Sequence, residues 1–445
     1  MKLLVVSPDY ASHYLPMSAI GRAAQRRQVA VSVATGPSLR SRVERDGFRW
    51  RELRMSRGSN PGVLTDRTRV DAAGDDLSGF FAATHRGMVA TLSYQAEAQA
   101  ADLLWEPAQV AAATVEVVED EDPQTILVDH LAFACSLALR AAKRRFTTFV
   151  PGHPTQLPTG EEIYGSPTAW PSTVTPSSED IEDLRARCRA VTASFTEQYN
   201  AVLAVLAPTL TPVRDAFAAH GDDVLYNSPA PLQRAARVAD LPRRHAFLGS
   251  CVRRERAADH VQAWLDSIGD RPFVYVSFGT FLSERVDVMR RVLEAVRDLD
   301  HIAAVSTGSA SAGDLGPCPD RWLVAATLPQ VALLARAESV VTHGGNGTVT
   351  EALAAGRPMV VLPFSTDQFE TAADLERTGL GMPLDPNIAT PTDLARAITA
   401  TLAEPIRRRA NTLATELRAR PGPELAVDRL LGATRPSNAE DRPEI

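Results

Sequence analysis

Long apolar runs are missing from this chain. None approaches the roughly 18 consecutive apolar residues that a membrane span requires, and the opening Met1-Lys2-Leu3-Leu4-Val5-Val6 suits a buried first strand better than a signal peptide. Cysteine is scarce: Cys135, Cys188, Cys251 and Cys318 are widely separated, with no C-x-x-C pair, which excludes a sequence-encoded zinc knuckle and reads as reduced thiols of a cytoplasmic protein. Nor is there surplus positive charge. With 47 Lys and Arg against 54 Asp and Glu the formal net charge is -7; no general attraction to nucleic acid or anionic lipid is expected, and an anionic ligand must be held by local geometry. The five tryptophans show no regular spacing that would make a base-stacking platform.

What remains is an ordinary globular composition spread over 445 residues, more than one hydrophobic core usually serves. Short apolar runs at 3–6, 29–34, 126–128, 147–150, 273–277, 302–306, 339–342 and 358–362 alternate with helical stretches such as 18–26 and 286–299. That alternation predicts an α/β protein with parallel sheets covered on both faces. The pattern weakens around Asn227-Ser228-Pro229-Ala230-Pro231 and restarts at Phe273, dividing the chain into two doubly wound halves, 1–235 and 236–420, followed by a segment 421–445 with a frayed tail. Ligands of such halves bind in a cleft at the carboxyl ends of the strands. Two long irregular stretches, 54–79 and 151–180, read as lids over an acceptor or as disordered chain.

The most informative segment runs from Ser339 to the Pro358 region. A strand ends at Thr342, a loop His343-Gly344-Gly345-Asn346-Gly347 follows, and a helix continues from Thr348 through Glu351 to a stop at Gly356. Loop amides and the helix N-terminus would converge on one spot where their partial positive charge stabilises a phosphate. His343 can donate a further hydrogen bond without any metal. The competing explanations are a plain tight turn, and a capping box formed by Thr348 and Glu351.

From Leu328-Pro329-Gln330, through Thr342-His343-Gly344-Gly345-Asn346-Gly347-Thr348 and Glu351, to Pro363-Phe364-Ser365-Thr366-Asp367-Gln368, the segment resembles the donor signature of family 1 glycosyltransferases, most of all their bacterial natural-product members. The resemblance implies a GT-B fold of two facing Rossmann-like domains, with acceptor in the first and nucleotide sugar in the second. The last segment crosses back in that family. His343, Gly345, Gly347 and Thr348, with Gly279 and Thr280 of a second matching segment, would meet the diphosphate. Leu328, Gln330 and Glu351 would meet the nucleoside, and Asp367 and Gln368 the donor sugar. One departure concerns the base: many members carry an aromatic residue two before the Pro of the Pro-Gln turn, and this chain has Thr327.

Transfer to an alcohol needs a group that takes the hydroxyl proton, and a neutral imidazole suits pH 7. His13 follows the first strand and precedes Pro16, which marks a first helical turn. By position alone it reads as an exposed or capping histidine; Ser12-His13 with Pro16 resembles the family's segment bearing the catalytic base. Asp129, at the end of the run Thr125-Ile126-Leu127-Val128, is the carboxylate expected to orient it. Its rival role is capping a helix beginning near Ala132. Asp120-Glu121-Asp122 has the form of a metal-binding D-x-D but precedes Pro123 and a strand, and so reads as a solvated acidic turn. Arg253-Arg254-Glu255-Arg256 reads as a solvated face.

The implied reaction is inverting transfer of a sugar from a UDP- or dTDP-sugar to a hydroxyl or amine of a small specialised metabolite. The nucleotide sugar is a co-substrate, with no cofactor, no metal, no nucleic acid and no membrane span. A nucleotide-sugar epimerase or hydrolase on the same architecture, and a non-catalytic auxiliary protein of that fold, are the rival readings.

Overall fold

The computed structural model describes residues 1–56, 74–100, 103–279 and 282–432. Most of the 54–79 stretch, Thr280 and the tail beyond residue 432 lie outside the described residues.

Two sheets organise the chain. The first holds β1 (Lys2–Val6), β2 (Ala30–Thr35), β3 (Arg49–Glu52), β4 (Thr125–Asp129), β5 (Thr147–Val150), β6 (Asp223–Tyr226) and β7 (His245–Phe247), in the order β3-β2-β1-β4-β5-β6-β7. The second holds β8 (Phe273–Ser277), β9 (Ile302–Ser306), β10 (Leu323–Ala325), β11 (Ser339–Thr342), β12 (Met359–Val361) and β13 (Gly381–Pro383), in the order β10-β9-β8-β11-β12-β13. Every pairing is parallel.

Alternation along the central strands shows why these residues form buried parallel sheets. Leu4 and Val6 of β1 enter one apolar cluster while Leu3 and Val5 enter another on the opposite face. In β8, Val274 and Val276 face one cluster, and Phe273 and Tyr275 the other. Successive side chains of a strand point to opposite faces, so helices must cover both.

Strand order sets the place of the site. In each sheet the order reverses once, between β1 and β4 in the first and between β8 and β11 in the second. At such a reversal the loops leaving the two adjacent strands diverge to opposite faces and open a crevice at their carboxyl ends. The residues that follow β1, β4, β8 and β11 are therefore the ones expected to meet ligand.

The halves also exchange elements. The last helix, Gly422–Gly432, puts Ala426, Val427 and Leu430 into the cluster of Leu3, Val5 and Tyr14, and its Glu424 and Asp428 pair with Arg26 and Arg27. In the other direction, Phe80 of the helix Gly74–Arg86 joins the cluster of Val274 and Val276, and the Thr84 carbonyl accepts from Asn387 at 3.0 Å and from the buried Arg285 at 3.3 Å. The stretch after β5 forms a strap between the halves, neither disordered nor a free lid. Trp170 packs on Phe369 with centroids 5.2 Å apart, and the Ser172 amide donates to Glu376 at 2.8 Å.

Candidate active site

The crevice of the first sheet brings together His13 and Asp129. The first helix begins at Ala11, earlier than Pro16 suggested; Pro16 lies inside it, and His13 is in its first turn. A proline at the sixth helical position removes one amide donor without ending the helix. Nδ1 of His13 is 2.9 Å from Oδ2 of Asp129, which is fully buried at the end of β4. A carboxylate can only accept, so Nδ1 carries a proton, and in the neutral ring the lone pair is on Nε2. Asp129 is not a helix cap: the helix Phe133–Ala141 has Ala132 at its cap with no side-chain bond, and Oδ1 of Asp129 accepts from the Leu131 amide at 2.9 Å. Burial works against the charge of Asp129, but the imidazoles of His13 and His130 outweigh it and hold the carboxyl well below its usual range.

In the second sheet, Gly279 follows β8 and His343 follows β11, at the same two places relative to the reversal. The helix Asn346–Ala355 is capped by Gly345 with no side-chain bond, which removes the capping-box reading of Thr348 and Glu351. Its first amides are left open toward the loop. The two glycines have a definite steric task. Gly279 has φ +70, and a Cβ there would lie 3.2 Å from Cε1 of His343; a methyl group on Gly345 would run into Nε2 of the same ring. The imidazole is thus sandwiched between two glycines. Burial lowers its pKa to about 4, against the smaller opposing effect of the Ser277 carbonyl, so the ring is neutral at pH 7. Gly347 is exposed and Thr348 buried in the first turn of the same helix.

Beside this cradle, Glu351 does not stand free. Its Oε1 is ion-paired with Arg253 and its Oε2 accepts from Nε2 of Gln330 at 2.7 Å. Oε1 of Gln330 in turn receives Thr348 and Tyr275 hydroxyls, each at 3.3 Å. Burial raises the pKa of Glu351, and Arg253 opposes the rise. Arg253 also bonds Glu255, 3.1 Å away, whose Oε2 accepts the Val331 amide at 2.9 Å. The solvated-face reading of Arg253 is therefore corrected: its side chain is 14% exposed, because two carboxylates flank it beside the Pro-Gln turn. Leu328 is half-buried against the neighbouring apolar cluster, and Thr327 is exposed.

Gln368 and Asp367 begin the helix after β12. Oε1 of Gln368 accepts from the Phe364 and Ser365 amides at 2.9 and 3.2 Å, so the side chain braces its own loop. Asp367 Oδ2 accepts from the backbone amide of His153, in the other half, at 2.6 Å. Asn346 donates across the same seam to the carbonyls of Pro151 and Asn227 at 2.5 and 2.8 Å. Tyr164 belongs to the stretch between β5 and β6. Its ring stacks on Phe217 with centroids 4.0 Å apart, and burial raises its pKa, helped by the charges of Asp367 and Asp129 and by the Tyr10 phenol.

Sequence reasoning missed Tyr164, Asn346, His153 and Arg253, and only Asn346 sat inside a recognised motif. Of the D-x-D stretch, Asp120 and Asp122 are exposed, as a solvated turn requires, and only Glu121 departs from that reading. Glu121 is buried rather than solvated, accepting from Ser32 at 2.7 Å and from Arg51 at 2.7 Å. Among the described residues, the group able to hold a metal is His13, Asp129 and His130, whose ligand atoms lie within 4.8 Å of one another.

Residues 290–432 match the family model "Erythromycin biosynthesis protein CIII-like, C-terminal domain". Demethyllactenocin mycarosyltransferase of Streptomyces fradiae is 34% identical over 231 residues, covering 52% of this chain and 49% of that protein. The glycosyltransferase of kitacinnamycin superposes with a TM-score of 0.68 at 23% identity, over 98% of this chain and 99% of that one. The chain has the GT-B fold, and its residues 290–432 carry the likeness to the EryCIII-like C-terminal domain. The spinosyn rhamnosyltransferase SpnG, solved with thymidine diphosphate, has the same fold, with a TM-score of 0.65 at 19% identity over 97% of this chain and 100% of that one. The chain spans about half the length of the curated relatives it matches. No described helix is long and apolar enough to cross a membrane.

Proposed function

We propose that the chain is an inverting, metal-independent glycosyltransferase that moves a sugar from a nucleoside diphosphate, UDP or dTDP, to a hydroxyl or amine of a small specialised metabolite. The observation that carries this reading is the seam between the sheets, where Asn346, in the first turn after the His343 loop, donates to the Pro151 and Asn227 carbonyls beyond β5 and β6, and Asp367 accepts from the His153 amide. The carboxyl ends of the two sheets face each other there, as a cleft shared by base and donor requires. The names of the similar proteins, a mycarosyltransferase and a rhamnosyltransferase solved with thymidine diphosphate, agree with such a donor.

In this mechanism Nε2 of His13 removes the proton of the acceptor hydroxyl as its oxygen bonds the anomeric carbon. The bond from that carbon to the β-phosphate oxygen breaks, its electron pair leaves with the nucleoside diphosphate, and the configuration inverts. Asp129 keeps the proton on Nδ1 and stabilises the imidazolium that forms. The amides after Gly345 and the neutral His343 meet the charge growing on the leaving group. A screen of UDP- and dTDP-hexoses against hydroxylated metabolites, read as nucleoside diphosphate release and a new product mass, tests the assignment. Release that needs acceptor supports it. Donor consumed equally without acceptor would mark a hydrolase or epimerase instead.

A further inference from the structure

The carboxylate of Asp367 is aimed from outside its own domain. The residue before it, Thr366, has φ +50, a left-handed backbone that a β-branched side chain disfavours and that persists only where the surroundings impose it. The imposing partner is Gln95, from the helix Met88–Ala100 of the N-terminal half: its Oε1 accepts the Thr366 amide at 3.1 Å. The Thr366 hydroxyl donates to Asp367 Oδ1 at 3.0 Å, and the His153 amide donates to Oδ2 at 2.6 Å. His153 is itself anchored, with Nε2 3.1 Å from Asp374 Oδ2 and the ring 5% exposed. Gln368 braces the near side of the loop from within; the Thr366-Asp367 side is braced across the seam.

We propose that Gln95 and His153 are positioning residues for the donor sugar: by holding Thr366 and Asp367 they orient the carboxylate, so part of the sugar site is set by side chain and backbone of the N-terminal half. The proposal rests on the reading of Asp367 as a sugar-binding group. An ionised carboxylate has about four acceptor sites. Thr366 and His153 take one on each oxygen, and the others stay open for sugar hydroxyls in a fixed direction. Neither residue touches the diphosphate cradle, so the nucleotide itself is bound independently of them.

Titration calorimetry with the free nucleoside diphosphate, and with the UDP- or dTDP-hexose the wild type turns over, separates the two contributions. Gln95→Met removes the acceptor and is expected to weaken the nucleotide sugar by about tenfold relative to the free nucleotide, the cost of one lost hydrogen bond. Donor KM rises and acceptor KM does not. Gln95→Glu keeps an acceptor oxygen and restores most of the affinity. Thr366→Gly, which adopts the left-handed turn without support, reduces the penalty when added to Gln95→Met. A Gln95→Met variant with unchanged nucleotide-sugar affinity, or a Gln95→Glu variant as weak as Gln95→Met, overturns the proposal alone. A wild type that binds neither nucleotide overturns the donor reading and the proposal with it.

Discussion

His13 and Asp129 are 116 residues apart in sequence, and their side chains meet at 2.9 Å because β1 and β4 are neighbours where the first sheet reverses its order. The pair depends on a neutral, correctly protonated imidazole. Asp129→Asn keeps the shape but lets the partner donate, which favours the wrong tautomer. The variant is expected to lose about 10²- to 10⁴-fold in kcat with donor KM little changed, as steady-state kinetics would show. A loss confined to KM would contradict the orienting role.

Gly345→Ala should act through His343. The added methyl has nowhere to go except into the ring, so the imidazole shifts from the place proposed for the diphosphate. Nucleoside diphosphate affinity measured by calorimetry is expected to fall by about tenfold or more, the value of one charge-assisted hydrogen bond.

The same histidine leaves a signature in stability. Its folded pKa is about 4 against an ordinary 6.5, so between these values the unfolded chain binds more protons and stability falls as pH falls. The effect is absent above about pH 7 and complete below about pH 4. Comparing urea midpoints of wild type and His343→Gln from pH 7.5 to 4.5 should show a steeper decline in the wild type. Parallel declines would contradict the buried neutral ring.

Much of this was legible in the sequence because central parallel strands are nearly continuous apolar runs; β5, β8, β9 and β11 stand where their runs predicted. The unread strands are edges or very short, apart from β6, Asp-Val-Leu-Tyr, which is interior and buried along its four residues. β3 is Arg-Trp-Arg-Glu, and β7, β10 and β13 have three residues each, too few to show a period. The motif residues His343, Gly345 and Glu351 were readable because their chemistry is local. Arg253, His153 and Gln95 were not, since each acts on a partner 98, 214 or 271 residues away, and only the folded chain says which charge or amide is opposite.

Arg253 illustrates the energetic side. Removing it leaves Glu351 buried with an unpaired charge, so Arg253→Met is expected to cost roughly 3 kcal/mol of stability. Adding Glu351→Gln should recover a large part, since no charge is then stranded. A double-mutant cycle in urea checks this, and additive losses would contradict the pairing.

In the proposed reaction His13 begins a transfer whose leaving group sits in the His343 cradle. Acceptor-dependent release of nucleoside diphosphate, measured for wild type and His13→Ala beside their nucleotide Kd, tests it most directly. The account predicts turnover in the wild type, a loss of at least about 10²-fold in the variant, and equal Kd in both. A variant that turns over as fast as the wild type would contradict it.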